Sequence, residues 1–227
     1  MAGRTRAGVI IAGIALMICG LVPWLARLPG FSKLIWLMIP ATVIVFVDGF
    51  ARWVGREYES AMAIEIVLQA GLPILFLMAL RKAEASRSWV RLATILAAMT
   101  FLGHALYAVG FHTVPLEFKL MTRGLLGVSE NGAIIFMAVV GWLDIVAAVR
   151  GFFKVARIPS LLYMVAWGGL TALARVASHF DTTSDSLGRD PWLVETLVRT
   201  PHWLIPLLLL ALIQRWGLPR EGAISES

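Results

Sequence analysis

The sequence lacks most of the motifs that would identify an enzyme. It has one cysteine, Cys19, so neither an intrachain disulfide nor a CxxC pair can form, which excludes a dithiol–quinone oxidoreductase. It contains no P-loop, no GxSxG and no HExxH motif. Every lysine lies in a predicted connection, so none in the last apolar segment can form a retinal Schiff base, and the chain is not a rhodopsin. These lysines are Lys33, Lys82, Lys119 and Lys154.

Charge is also scarce, and long apolar runs take its place. Only 15% of the residues are charged, 59% are hydrophobic, and the mean hydropathy is +0.81. A helix of about 20 apolar residues crosses roughly 30 Å of hydrocarbon, and the short alternating strands of a membrane barrel are absent. The sequence therefore predicts an all-α, polytopic transmembrane bundle that forms a single domain over residues 1–227. The predicted spans are seven: 8–26, 34–53, 61–80, 92–111, 132–149, 158–178 and 202–215.

The basic residues set the expected topology. The start of the chain resembles a signal peptide but lacks a small-residue cleavage site before Trp24, so we interpret it as the first span. Of the 20 Lys and Arg residues, eleven fall on one side of the bundle, eight on the other, and Arg175 within a span. The side with eleven carries the dense groups at 81–91 and 150–157, although Arg4 and Arg6 oppose this orientation. We expect a multi-pass protein of the bacterial inner membrane with a cytoplasmic C-terminus.

The net charge of +6 and the sequence pI near 10.1 do not indicate nucleic acid as a partner. The cations stand in small groups at the ends of spans, where they meet anionic lipid head groups. The partners expected from the sequence are the lipid bilayer and another membrane protein.

Several polar or ionisable side chains are expected at the same end of the bundle, although they belong to different spans. Because successive spans alternate in direction, the end of one span is level with the start of the next. Ionisable groups within hydrocarbon are costly, so such a cluster indicates a functional site. Its members are Asp48, Glu65, Gln69, His104, Tyr107, Arg175, His179 and His202.

Histidine chemistry suggests several ligands for this cluster. His104 and Tyr107 share one helix face, and a neutral imidazole can ligate a metal or haem iron, or hydrogen-bond a quinone carbonyl. His104, His179 and His202 together would suit a transition metal ion, although no two of them have ligand spacing on one helix. The alternative is that these side chains form hydrogen bonds that only fix helix packing.

Two further buried charges are expected. Arg175 stays charged at any depth, so it must pair with Asp48 or Glu65, or else bind an anion or a carbonyl group. Asp144 lies toward the opposite end of its span, where a carboxyl group is expected to be protonated or hydrogen-bonded. It would serve either as a proton-relay step or as a hydrogen bond between helices.

Two connections on the cluster side have the pattern of interfacial helices. Residues 115–126 begin with Pro115 at an expected N1 position and place Lys119 and Arg123 opposite Leu and Phe side chains. In the second connection, Asp190 and Pro191 predict a helix start. Both helices would lie over the cluster, either as a lid or as ordinary interfacial helices.

The four C-terminal spans contain a series of short segments that occur together in one family of membrane proteins. The series consists of Arg91 at a helix start, the FLGHALY segment at 101–107, an amphipathic connection with Phe118, and the GWLD segment at 141–144. In these features the spans resemble the DoxX-like superfamily of small four-helix membrane proteins. The resemblance covers about residues 91–216 and leaves the three spans of 1–90 and the polar tail 217–227 unexplained.

The resemblance implies a location in the membrane and, at most, a function linked to redox chemistry. Members have been linked to sulfur-compound oxidation with quinones, to redox-stress complexes and to membrane-protein assembly. Only His104 and Asp144 correspond to recurring polar positions of the family. The chain departs from the pattern at Ala105, where glycine is typical, and by the presence of Arg175, His179 and His202.

Two functions fit these observations. One is a redox-linked membrane subunit whose polar site, open to the outer side, holds a quinone, haem or metal. The other is a non-enzymatic accessory or assembly protein whose polar cluster fixes helix packing or binds a partner or lipid. A small-solute transporter is less favoured, because broken helices in matched halves are absent. The sequence leaves open whether the protein is an enzyme.

Overall fold

The computed structural model describes residues 18–55, 57–81, 86–179 and 191–216. Within these ranges all regular secondary structure is helical and no strand occurs, so the prediction of an all-α protein is confirmed. Residues 18–25 form α1. The elements that follow are a 3₁₀ helix (Ser32–Leu37), α2 (Met38–Gly55), α3 (Ser60–Glu65), α4 (Val67–Arg81), α5 (Arg87–Ala108), α6 (Leu116–Leu126), α7 (Glu130–Arg150), α8 (Lys154–His179), α9 (Pro191–Val198) and α10 (Pro201–Trp216).

Six helical segments in the described ranges are long and apolar enough to cross a membrane. The predicted first span, 8–26, lies largely outside the described residues, so the count of seven spans stays a prediction. The six segments are Ser32–Gly55, Ser60–Arg81, Arg87–Ala108, Glu130–Arg150, Lys154–Ser178 and Glu195–Gln214.

Helix α5 forms the centre of the bundle. It packs against α7 and α10, and α8 contacts both of those helices, so the four helices form a closed ring. The short helices α3 and α4 pack on the outside of α5, and α2 packs on α4. Small side chains at Ala93, Ala97 and Ala105 are fully or almost fully buried in α5, which lets neighbouring helices approach closely. Large apolar side chains point outward on the peripheral helices, as a lipid-facing surface requires.

Local signals at helix ends agree closely with the sequence interpretation. The Ser129 hydroxyl caps α7 by accepting a hydrogen bond from the Gly132 amide at 3.2 Å. Helix α9 begins at Pro191 as predicted. The expectation for Pro115 is wrong by one residue: it is the N-cap of α6, since its ψ of 135° is extended rather than helical.

The predicted third span is interrupted. Ile66 separates α3 from α4, and the carbonyl oxygen of Glu65 accepts a hydrogen bond from the buried Thr100 hydroxyl of α5 at 3.2 Å. One turn further along α5, a Cβ added to Gly103 would lie 2.5 Å from the Glu65 amide nitrogen. The α5 backbone therefore touches α3 at the residue that carries the buried carboxylate.

Candidate functional site

Glu65 is the centre of a buried ionic network formed by three helical segments. Its Oε1 atom lies 2.8 Å from Arg199 Nη2 and 3.1 Å from His104 Nε2. A second guanidinium nitrogen, Arg199 Nη1, lies 3.0 Å from the same His104 Nε2. The tautomer of the His104 ring decides whether Nε2 donates to the carboxylate or accepts from the guanidinium. The side chains of Glu65 and Arg199 are only 9% and 16% exposed, so water screens this ion pair weakly.

His202 lies directly behind this network. Its ring centroid is 5.2 Å from that of His104, and the residue is 2% exposed. Its Nδ1 atom donates to the Arg199 carbonyl oxygen at 2.9 Å, which leaves Nε2 as the acceptor of the neutral ring. That Nε2 atom is buried and has no hydrogen-bond partner among the described residues. A close crossing of α8 holds the His202 backbone, since a Cβ on Gly168 would lie 3.2 Å from its carbonyl oxygen.

Arg175 of α8 contacts both amphipathic helices on the cluster side, α6 and α9. It is 4% exposed, its Nη1 atom lies 2.9 Å from Glu195 Oε2 of α9, and its guanidinium lies 5.4 Å from the centre of the Phe118 ring of α6. The Thr196 hydroxyl also joins α9 to α8, by donating to the Ala172 carbonyl oxygen at 3.0 Å. Among the described residues, Glu195 lies at ion-pair distance from Arg175, a pairing that the sequence interpretation did not name, while Glu65 pairs with Arg199.

A cavity of about 210 Å³ lies between these groups, and both amphipathic helices contribute to its wall. Three arginines and three glutamates line it together with polar, aromatic and aliphatic side chains, so its formal charge is balanced. The lining consists of Arg52, Met62, Glu65, Ile66, Gln69, Tyr107, Pro115, Glu117, Phe118, Arg175, Glu195, Val198 and Arg199.

The remaining predicted site residues are placed differently. Gln69 lines the cavity, with its Nε2 atom 3.5 Å from the Val198 carbonyl oxygen. Tyr107 also lines the cavity, and its hydroxyl donates to Glu59 Oε2 at 2.8 Å. Asp48 does not join the cluster: its carboxylate pairs with Arg52 at 2.9 Å and is 61% exposed. Asp48 lies near the end of its span, as predicted, but its side chain is on the exposed face of α2.

Sequence reasoning missed Arg199, Glu195 and Glu59 as members of the site. In the sequence Arg199 is one of the eight basic residues on the cluster side, and its position before the last span is typical of a head-group contact. A signal was present in the spacing: Glu195 and Arg199 are four residues apart and His202 follows three residues later, so all three recur at helical intervals.

Metal binding is not supported by the described side chains. None of them form a group of three or more His, Cys, Asp or Glu residues that could hold a metal ion. His104 already directs Nε2 at Glu65 and Arg199. The side chain of His179 lies outside the described part of the structure, so the three-histidine metal site stays a prediction.

Asp144 forms a separate polar cluster between α7 and α8. It is 2% exposed, and its Oδ1 atom accepts a hydrogen bond from the Tyr163 hydroxyl at 2.8 Å. The same hydroxyl oxygen lies 3.4 Å from the Val140 carbonyl oxygen of α7. These contacts meet the expectation of a hydrogen-bonded carboxyl group, whereas a role in proton relay stays a prediction.

We expect Tyr163→Phe to lower the free energy of unfolding by about 1–2 kcal/mol, because it removes a donor from a buried carboxyl group. Thermal unfolding of the purified protein in detergent measures this loss. Tyr58→Phe is the matched control, because Tyr58 is 61% exposed. Equal melting temperatures for the two variants would show that the Tyr163 hydroxyl does not stabilise the bundle.

Comparison of the chain with protein-family models, with curated proteins and with solved structures found no match. Assignment of the protein therefore depends on its own fold and site. The apolar helices are those of a multi-pass membrane protein, and buried charged and polar residues lie inside the bundle.

Proposed function

We propose that the protein is a redox-linked membrane subunit whose cavity binds the head group of a quinone-like molecule. The observation that supports this most directly is the composition of the cavity wall. Arg175, Arg199 and Gln69 offer hydrogen-bond donors to carbonyl oxygens, and Phe118 and Ile66 offer apolar surface to a planar ring. A volume of about 210 Å³ is sufficient for one small ring system.

The position of the cavity agrees with a ligand that is dissolved in the membrane. Its residues come from the ends of candidate spans and from α6, whose outward-facing Leu116 and Leu120 are more than half exposed. A molecule with an apolar tail can therefore keep its tail in lipid while its head group enters the polar end of the bundle.

We also propose two assignments that the sequence suggested: the DoxX-like core and the orientation of the protein in the membrane. The closed ring of α5, α7, α8 and α10 supports a DoxX-like four-helix core over residues 91–216. Arg150, Lys154 and Arg157 lie at the bundle end opposite the cavity, which supports a cavity open to the outer side and a cytoplasmic C-terminus in a bacterial inner membrane.

A second candidate function is an accessory protein whose polar cluster only fixes helix packing. The observation in its favour is that the buried cations already have internal partners, Arg199 with Glu65 and Arg175 with Glu195. Such a protein would need no ligand in the cavity.

A cavity-filling substitution distinguishes the two functions. Val198 lines the cavity and is 46% exposed, so Val198→Trp should fill the space without straining the core. We expect the variant to bind 2,3-dimethyl-1,4-naphthoquinone about tenfold more weakly than the wild type, a loss of about 1.4 kcal/mol. Isothermal titration calorimetry in detergent measures the affinity.

Leu197→Trp is the matched control, because Leu197 is 63% exposed, is adjacent on α9 and does not line the cavity. It should bind the quinone as the wild type does. If the wild type binds no naphthoquinone, or if both tryptophan variants bind this probe equally well, the quinone proposal is wrong and the packing function is favoured.

A further inference from the structure

The ion pair between Arg175 and Glu195 is asymmetric in its surroundings. The Arg175 side chain is 5% exposed and belongs to α8, whose 26 residues form the longest described helix. The Glu195 side chain is 46% exposed and belongs to α9, which has eight residues. The cation therefore belongs to a long helix inside the bundle, whereas its anion comes from a short helix at the edge of the cavity.

Both partners also line the cavity, so a ligand that enters it meets this ion pair. A buried guanidinium requires an anion or several acceptors, because an unpaired buried charge is costly. The Phe118 ring against Arg175 keeps the guanidinium in place without neutralising it. An anionic oxygen of a ligand could therefore replace the Glu195 carboxylate, which would then turn into water with little desolvation to overcome.

Replacement of the Glu195 carboxylate by a ligand anion would also preserve the charge balance of the cavity wall. Arg52, Arg175 and Arg199 line the cavity together with Glu65, Glu117 and Glu195. If a ligand anion takes the place of Glu195, the wall still pairs each buried guanidinium with one anion. A neutral ligand gains no such replacement and must bind beside the intact pair.

We infer that Glu195 occupies the anion-binding position of the cavity when it is empty, and that the ligand is an acidic, ionised molecule whose anionic oxygen displaces Glu195 from Arg175. This inference rests on the proposed quinone-like ligand and names its class: a hydroxyquinone in its anionic form. Displacement also removes the side-chain contact of Glu195 with α8, and the hydrogen bond of Thr196 to the Ala172 carbonyl oxygen remains.

Two probes of equal size test the inference. 2-Hydroxy-3-methyl-1,4-naphthoquinone carries an acidic hydroxyl that is ionised at neutral pH, and 2,3-dimethyl-1,4-naphthoquinone has a methyl group at the same position. Glu195→Gln removes the competing anion. We expect it to bind the ionised probe about tenfold more tightly than the wild type, the scale of one hydrogen bond to a charged group, and to bind the neutral probe unchanged.

Arg175→Gln should weaken binding of the ionised probe by about tenfold or more, because the cation is lost. Glu130→Gln is the matched control: this carboxylate pairs with Lys119 at 3.5 Å, is 56% exposed and lies outside the cavity wall. It should bind both probes as the wild type does, which separates a local effect from a change in net charge.

The outcomes separate this inference from the proposed function. If the wild type binds both probes and Glu195→Gln binds the ionised probe no more tightly, the displacement of Glu195 is wrong and a quinone site remains. Weaker binding by Glu195→Gln would likewise overturn it, because the carboxylate would then support the site. If the wild type binds neither probe, the quinone site itself is wrong.

Discussion

Gly103→Ala should destabilise the protein by about 2–3 kcal/mol, the upper range for overpacking of a tight core. The added methyl carbon would lie 2.5 Å from the Glu65 nitrogen, 2.8 Å from its Cα atom and 2.9 Å from the Ala61 carbonyl oxygen. All three are backbone atoms, so α3 must move away from α5 as a unit. We expect a lower melting temperature in detergent together with weaker quinone binding, because Glu65 moves with α3.

Gly124→Ala is the appropriate control for this substitution. Gly124 lies within α6, and a Cβ added there has no heavy atom within 4 Å. Alanine is favoured over glycine within a helix by up to about 1 kcal/mol, so this variant should be as stable as the wild type or slightly more stable. A Gly103→Ala protein with the stability of Gly124→Ala would show that α3 and α5 do not pack as described.

Glu65→Gln should lower the free energy of unfolding by about 3 kcal/mol, because it leaves the Arg199 guanidinium buried without its anion. The change is nearly isosteric, so the loss reports charge rather than shape. Denaturant titration of the purified protein measures it. The double variant Glu65→Leu, Arg199→Met should recover most of this stability, since no charge then remains unpaired.

Asp48→Asn provides the matched comparison. Its ion pair with Arg52 has a length of 2.9 Å, close to the 2.8 Å of the buried pair, but both of its side chains are about 60% exposed. Exposed pairs contribute little, so the loss should be below about 0.5 kcal/mol. Equal losses in Glu65→Gln and Asp48→Asn would mean that the Glu65 carboxylate is as well hydrated as a surface group.

The two proposed functions make different use of these charges. If the network only fixes packing, substitutions at Glu65 and Arg199 change stability. Val198→Trp then has no effect on quinone binding, because the cavity holds no ligand. If the cavity binds a ligand, Val198→Trp separates binding from stability. The unpartnered Nε2 atom of His202 marks one place in the network where hydrogen bonding within the described residues is incomplete.

The sequence predicted the helical class and the depth of most site residues. Long apolar runs allow only a few solutions in a bilayer, and a residue's distance from the end of its span determines its level in the membrane. For this reason the apolar pattern alone placed Glu65, His104, Arg175 and His202 at one end of the bundle. The Ser129 cap could be predicted as well, because it depends only on its immediate neighbours.

Only the tertiary structure decided which of these side chains meet. The depth of a residue in the membrane does not give the rotation of its helix about the helix axis. Asp48 therefore lies at the expected depth but faces outward. Arg199, whose position before the last span suggests a surface charge, is directed to Glu65. The break at Ile66 and the contact of Gly103 with the Glu65 backbone depend on two helices far apart in the chain. Apolar patterning is local and could be read from the sequence, whereas the pairing of charges requires the packing of the whole bundle.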